Sequence, residues 1–314
     1  MKWISLVLLY GVLKGVREIL KKKALEKSTV MEVLLAYTFI SFVIVLPTMP
    51  KAGGLEPLQY GAIAIKSFVI FLAWLCSFHA LSSMPVSLYG ILDLSRVIFS
   101  TVLGIVFLKE RMSLPCGIGF ILVCTGLYAL RGLKNREKKS DSTTVEQSAP
   151  ASAAIPDTKE QRFWKRLLAN PSVVVMLAFL SSLLNGVSGT MDKVLMKHMN
   201  ESQLQFWYML FLVLYYVIYI FLTRTKIHLG RLIKNNWIYI GLLSVAFVIA
   251  DRALFIANAD PGSRVTVMTL LKQAGCVVTI LGGKFFFHEK QIKYKLCCAA
   301  VIIAGIIISV LPFG

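Results

Sequence analysis

The sequence predicts an all-α polytopic membrane protein of ten transmembrane helices, arranged as two inverted five-helix repeats. Three observations carry that expectation. Hydrophobic residues make up 57% of the 314 positions and charged residues only 16%, whereas soluble domains average roughly a quarter charged. The apolar residues fall into runs of about 17–25, the length that crosses a bilayer core. Two of these runs are copies of one another. Residues 88–111 read LYGILDLSRVIFSTVLGIVFLKER and residues 267–290 read VMTLLKQAGCVVTILGGKFFFHEK. At a constant offset they share Leu92/Leu271, Gly104/Gly283, Phe107/Phe286 and Glu110/Glu289. Each carries an ionisable residue at the same internal place, Asp93 in the first and Lys272 in the second.

In chain order, span 1 covers residues 3–20. It has no cleavage-site pattern and holds Lys14, Arg17 and Glu18, so it reads as a retained helix and not a signal peptide. A basic turn, 21–27, follows. Span 2 (31–49) ends at Pro47 and Pro50, and Gly53-Gly54 opens a loop. Span 3 (63–81) turns through Ser82-Ser83-Met84-Pro85 into span 4 (86–108), and span 5 is 114–130. Turns this short make spans 3 and 4, and then 4 and 5, antiparallel neighbours.

Residues 132–169 change character. The stretch KNREKKSDSTTVEQSAPASAAIPDTKEQ has almost nothing apolar to bury and reads as a disordered basic linker. Its basic end, 162–166, holds Phe163 and Trp164 and is expected to lie along lipid headgroups. Asn170-Pro171 is a helix start, a capping residue followed by proline at the first position. Span 6 (173–191), span 7 (204–222), a basic loop, span 8 (237–256), the breaker Asp260-Pro261-Gly262, span 9 (265–287) and span 10 (296–311) complete the chain. Domains of 1–131 and 170–314 thus flank the linker, and Leu13-Lys14-Gly15-Val16 aligns with Leu184-Asn185-Gly186-Val187. An odd number of spans per repeat inverts the second copy. Lys and Arg concentrate on loops after odd-numbered spans, which places the linker in the cytoplasm and both termini outside, in a cell membrane taken to be a bacterial plasma membrane.

The net charge of +18 would suggest nucleic acid in a soluble protein. Here the basic residues sit in loops between spans, so a bilayer and a small solute are the expected partners and nucleic acid is not. The six cysteines fall in apolar segments without zinc-like spacing and read as small buried hydrophobes. His288-Glu289 lacks the second histidine of a zincin, and neither a P-loop nor a GxSxG turn is present. No enzyme chemistry, metal or cofactor is expected.

The repeat ends FLKERMSLPCGIGFILVCTGLYAL and FFHEKQIKYKLCCAAVIIAGIIISVL resemble those of the EamA-like branch of the drug/metabolite transporter superfamily. The likeness lies in an "F-L-x-E-x" turn followed by a last helix containing glycine, here Gly126 and Gly305. The resemblance implies a transporter of amino acids and related metabolites, nucleotide sugars, sugar phosphates or drugs. It also implies cytoplasmic termini and mostly uncharged spans, and this chain departs from both.

Asp93 and Arg96 share a helix face that continues through Ser100 and Gly104. Lys272 lies on the matching stripe of span 9, and Tyr89 stands one turn before Asp93. A charge at the bilayer centre costs at least about 2.5–3.5 kcal/mol on insertion scales. Asp93, Arg96 and Lys272 therefore either line a polar cavity that binds solute or hold Asp93 in a permanent bridge. Lys14 and Glu18 either join that cavity or sit near the interface, with Lys14 snorkelling. His79 and Asn258 align between the repeats and are further candidates, while Asp192-Lys193 reads as an interfacial pair. The expected function is secondary transport of a small polar metabolite, amino-acid-like or related, by alternating access, with Asp93 or Glu18 as candidates for proton coupling. The cations Lys14, Arg17, Arg96, Arg252, Lys272 and Lys284 favour exchange of nucleotide sugars or sugar phosphates as the alternative. A lipid-linked flippase or a non-transporting scaffold is the alternative of another class. The oligomeric state stays open between monomer and homodimer.

Overall fold

A computed structural model describes residues 2–26, 28–93, 95–109, 159–225, 227, 229–288 and 292–310, with 114–115, 117–122, 124–126 and 129 between them. Among these residues all regular structure is helical. The first half contains α1 (Lys2–Leu25), α2 (Val30–Val45) with a 3-10 continuation (Leu46–Lys51), α3 (Pro57–Ser83), α4 (Val86–Asp93) and α5 (Arg96–Leu108). Then comes α6 (Lys159–Leu168). The second half contains α7 (Pro171–Leu195), α8 (Glu201–Thr223), α9 (Leu229–Ala259), α10 (Val265–Leu271), a 3-10 turn (Lys272–Ala274), α11 (Gly275–Phe287) and α12 (Ile292–Val310). Most of the linker, 132–158, lies outside the described residues; its end, expected to be disordered, is the helix α6.

Local chemistry explains the helix ends. Thr29 caps α2 in a reciprocal box with Glu32, and Asn200 caps α8 in the same way with Gln203. Asn170 Oδ1 accepts from the Ser172 N–H at 3.0 Å ahead of Pro171, the start that the Asn-Pro pair predicts. At the other end, Lys109 after α5 and His288 after α11 both take the left-handed conformation, with φ of 53° and 50°. Their N–H groups donate back to Gly104 O and Gly283 O, the glycines shared by the two copied segments.

Seven segments among the described residues are long and apolar enough to cross a membrane. The other three expected spans fall short for separate reasons. The helix α1 is 24 residues long but carries too many internal charges. Span 5 lies only partly within the described residues, and the apolar part of α12 is Tyr294–Gly305. Large apolar side chains, among them Phe107, Phe221 and Leu222, point outward as a lipid-facing surface requires. Cys76, Cys276 and Cys298 are buried as expected, but Cys297 is exposed on that surface and Cys124 half-buried; Cys116 lies outside the described residues.

The two halves interlock. The helix α1 packs most extensively on α9, and α3 on α7; α5 lies on α7, and α1 on α11; α2 meets α9, and α3 meets α8. Each of these contacts maps onto its companion when the halves are exchanged. After its turn, α4 packs chiefly on α11 and α7 and touches α3 only slightly, so the expected side-by-side pairing of spans 3 and 4 gives way to cross-half packing.

Glycine permits the tightest crossing. A Cβ on Gly15 of α1 would lie 2.5 Å from Gly275 O and 2.6 Å from the Val278 Cβ of α11, whereas one on Gly61 would meet nothing. Gly15→Ala must therefore push two backbones apart. It is expected to cost about 1–3 kcal/mol, read as a lower melting temperature in detergent, while Gly61→Ala leaves the melting temperature in place.

Candidate functional site

The copied segments are not continuous helices. In the first, α4 ends at Asp93 and α5 begins at Arg96, and the Ser95 N–H donates to Leu92 O at 3.0 Å, a tightened i−3 bond. In the second, the 3-10 turn Lys272–Ala274 separates α10 from α11. The equivalent charged residues Asp93 and Lys272 thus stand at equivalent tightened turns. A 3-10 stretch inside a longer helix is a common mark of a functional hinge.

Beside these turns lies a cavity of about 60 Å³, lined by helices of both halves. The helix α1 supplies its most polar wall. Tyr10, Lys14, Arg17, Glu18 and Lys21 recur at helical spacing along one face and all line the cavity. All are buried, because α1 continues to Leu25 and is covered by α9 and α11. The interfacial reading of Lys14 and Glu18 is therefore corrected: Lys14 does not snorkel but meets a carboxylate in the interior.

The charges are arranged as ion pairs. Asp93 is held by Lys14 at 2.5 Å and by Arg96 at 2.7 Å, with the Ser182 hydroxyl donating to it at 3.4 Å. Arg17 meets Asp251 at 3.3 Å and lies over the Phe247 ring. Lys21 bonds Glu18 at 2.8 Å. Lys66 is 3.0 Å from Asp192, an ion-pair distance without the angle of a hydrogen bond, and its Nζ sits 3.4 Å from the centroid of the Tyr208 ring. Lys272 lines the same cavity beside Tyr10.

Of the residues expected at the site, Lys14, Glu18, Tyr89, Arg96, Asn258 and Lys272 line the cavity. Asp93 faces a side pocket of about 10 Å³ that shares Lys14, Glu18 and Tyr89 with it. Asp93 and Lys272 form no bridge with each other; Asp93 takes its partners from α1 and α5 instead. The Tyr89 hydroxyl shares a 2.6 Å hydrogen bond with Ser77 Oγ. The Asn258 side-chain nitrogen is buried without a hydrogen-bond partner. His79 stands apart. Its ring stacks on Trp164 of α6, with centroids 3.8 Å apart and planes 12° from parallel. Trp164 therefore packs inward, while its neighbour Phe163 stays exposed.

Other expectations shift as well. Arg252 faces Glu201 at 3.6 Å, and Lys284 is exposed, so neither lines the cavity. Lys66, Asp192 and Asp251 do. Lys66 was legible as a lysine inside an apolar span, and Asp192 sits one helical turn short of the end of α7. Asp192 and Lys193 are both buried, and they take different partners instead of pairing with each other. Lys193 Nζ donates to Asn258 O and Asp260 O, each at 2.9 Å, and to Ser263 Oγ at 2.6 Å. Lys22 does the same in the first half, donating to Leu81 O, Ser82 O and Met84 O at 2.8–3.3 Å. Two lysines, one in each half, thus staple the carbonyls ending α3 and α9, groups that a helix C-terminus leaves without partners.

Residues 1–132 match the model of the EamA-like transporter family, part of the drug/metabolite transporter superfamily. Among solved structures, one crystal structure has a TM-score of 0.62 to this chain, covering 99% of it and 97% of the other chain at 14% sequence identity. At that identity the likeness speaks for the fold. No curated protein matches the sequence.

Removing one member of a buried pair strands the other. Asp192→Ala is expected to lower stability by about 3–5 kcal/mol, and replacing both partners, as Lys66→Met with Asp192→Leu, to recover most of it. Chemical or thermal unfolding in detergent checks the pair.

Proposed function

From the match of residues 1–132 to the model of the EamA-like transporter family, we propose that the chain is a secondary transporter of a small polar metabolite. The observation that carries this reading is the cavity: it is polar, it lies inside an apolar helical protein, and both halves build it. Two features support alternating access between halves that act as inverted repeats. Inter-half contacts exchange in pairs, and tightened turns occur at equivalent places in the copied segments. Hinging at Ser95 and Lys272–Ala274 would open the cavity to one side and then the other. The excess of basic residues at the cavity favours exchange of sugar phosphates or nucleotide sugars as the second reading. The concentration of Lys and Arg in loops after odd-numbered spans supports a cytoplasmic linker.

The test is solute uptake by the purified full chain in proteoliposomes, screened against amino acids, sugar phosphates and nucleotide sugars. At least one should enter faster than into empty vesicles. Asp251→Asn, which leaves Arg17 without its carboxylate, should slow that uptake at least tenfold. Acceleration by the same solute inside the vesicles would select exchange. Absence of uptake across the panel would overturn the transport reading.

A further inference from the structure

Six basic side chains line the cavity: Lys14, Arg17, Lys21, Lys66, Arg96 and Lys272. Four carboxylates face them or the adjoining pocket, namely Glu18, Asp93, Asp192 and Asp251. Each carboxylate already has a cation, and Asp93 has two. Lys272 is the cation left over. Among the described residues its ammonium makes no hydrogen bond or ion pair, and Nζ lies 5.4 Å from the centroid of the Tyr10 ring. It is only 8% exposed. Asp192 and Asp251 attract it only from beyond ion-pair distance, and an ammonium so buried without a direct partner is costly unless something negative joins it.

We propose that Lys272 is the recognition point for the acidic group of a small organic anion, carboxylate or phosphate, and that the transported solute is net negative. The proposal rests on the transport reading of the cavity and specifies its substrate class. A neutral solute leaves Lys272 uncompensated. A zwitterion brings one ammonium for each carboxylate and leaves the excess of positive charge unchanged. A cation adds to it. A net-negative solute alone reduces it. The neighbouring donors suit the same ligand: Asn258 Nδ2, Arg17 Nε and Arg96 Nε are buried without hydrogen-bond partners, all on residues that line the cavity. Acceptors on the solute would satisfy donors that the protein leaves open.

The experiment measures binding apart from flux. The purified full chain in detergent is titrated with solutes matched in size and differing in charge, followed by thermal shift and by calorimetry. L-aspartate is set against L-asparagine for the carboxylate, and glycerol 3-phosphate against glycerol for the phosphate. The anionic member of at least one pair is expected to bind at least tenfold more tightly. Lys272→Met should abolish that preference, and Lys272→Arg should keep it. Lys272→Met should also melt no lower than the parent, since no ion pair is lost; a structural bridge would melt lower. Equal binding within both pairs, binding to neither pair, or a preference that survives Lys272→Met overturns the proposal. Anion binding without uptake in proteoliposomes keeps Lys272 as the anion-recognition point and removes the transport reading. Uptake of a neutral solute, unaffected by Lys272→Met, does the reverse.

Discussion

Ion pairing in a low-dielectric interior is the constraint from which the rest of this architecture follows. Four of the cavity's charged groups, Lys14, Arg17, Glu18 and Lys21, sit on one helix, α1, and none of them can face lipid at acceptable cost. A helix so charged must be surrounded by protein. The partners for two of its cations come from elsewhere, Asp93 at the end of α4 and Asp251 on α9. The Arg17–Asp251 pair ties α1 to the second half, on which α1 packs more than on its own. The interlocking of the halves and the polarity of the cavity are one arrangement seen from two sides.

Close backbone approach is the second requirement. Gly15 and Gly275 let α1 and α11 meet with nothing between their main chains, beside the turn that holds Lys272. A substitution there moves the wall of the cavity as well as the packing. The tightened turns at Ser95 and at Lys272–Ala274 give the same region backbone bonds of the shorter i−3 kind. Rigid packing and hinge geometry therefore sit within a few residues of each other, while the staples from Lys22 and Lys193 fix the turns that lead into α4 and α10.

Much of this was legible in the sequence, and what was missed has physical reasons. The helices could be read because apolar runs and caps such as Asn170-Pro171 are local signals. The equivalence of Asp93 and Lys272 came from the copied segments. The break within each segment did not, since a single 3-10 turn leaves hydrophobic periodicity almost untouched. Ending span 1 at Leu20 put Lys21 in a turn and left Lys14 and Glu18 between cavity and interface, although the spacing Tyr10, Lys14, Arg17, Glu18 and Lys21 is helical throughout. The i,i+3 spacing allowed the Asp93–Arg96 pair, but partner choice between helices was out of reach. Nothing local says that Lys66 meets Asp192, or that Asp93 prefers Lys14 to Lys272, because those pairings are decided by which helices cross. His79 shows the converse: its alignment with Asn258 was real, but α6 covers it with Trp164, and only one of the two aligned residues reaches the cavity.

The two staples and the cavity have diverged differently. Lys22 and Lys193 hold the same kind of carbonyl cluster in each half. Yet where one half places Asp93, Lys14 and Lys21, the other places Lys272, Asn185 and Asp192. The scaffold has kept a twofold relation that the chamber within it has lost. A solute bound in that chamber would meet a different set of charges from each half, so its two ends would be distinguished.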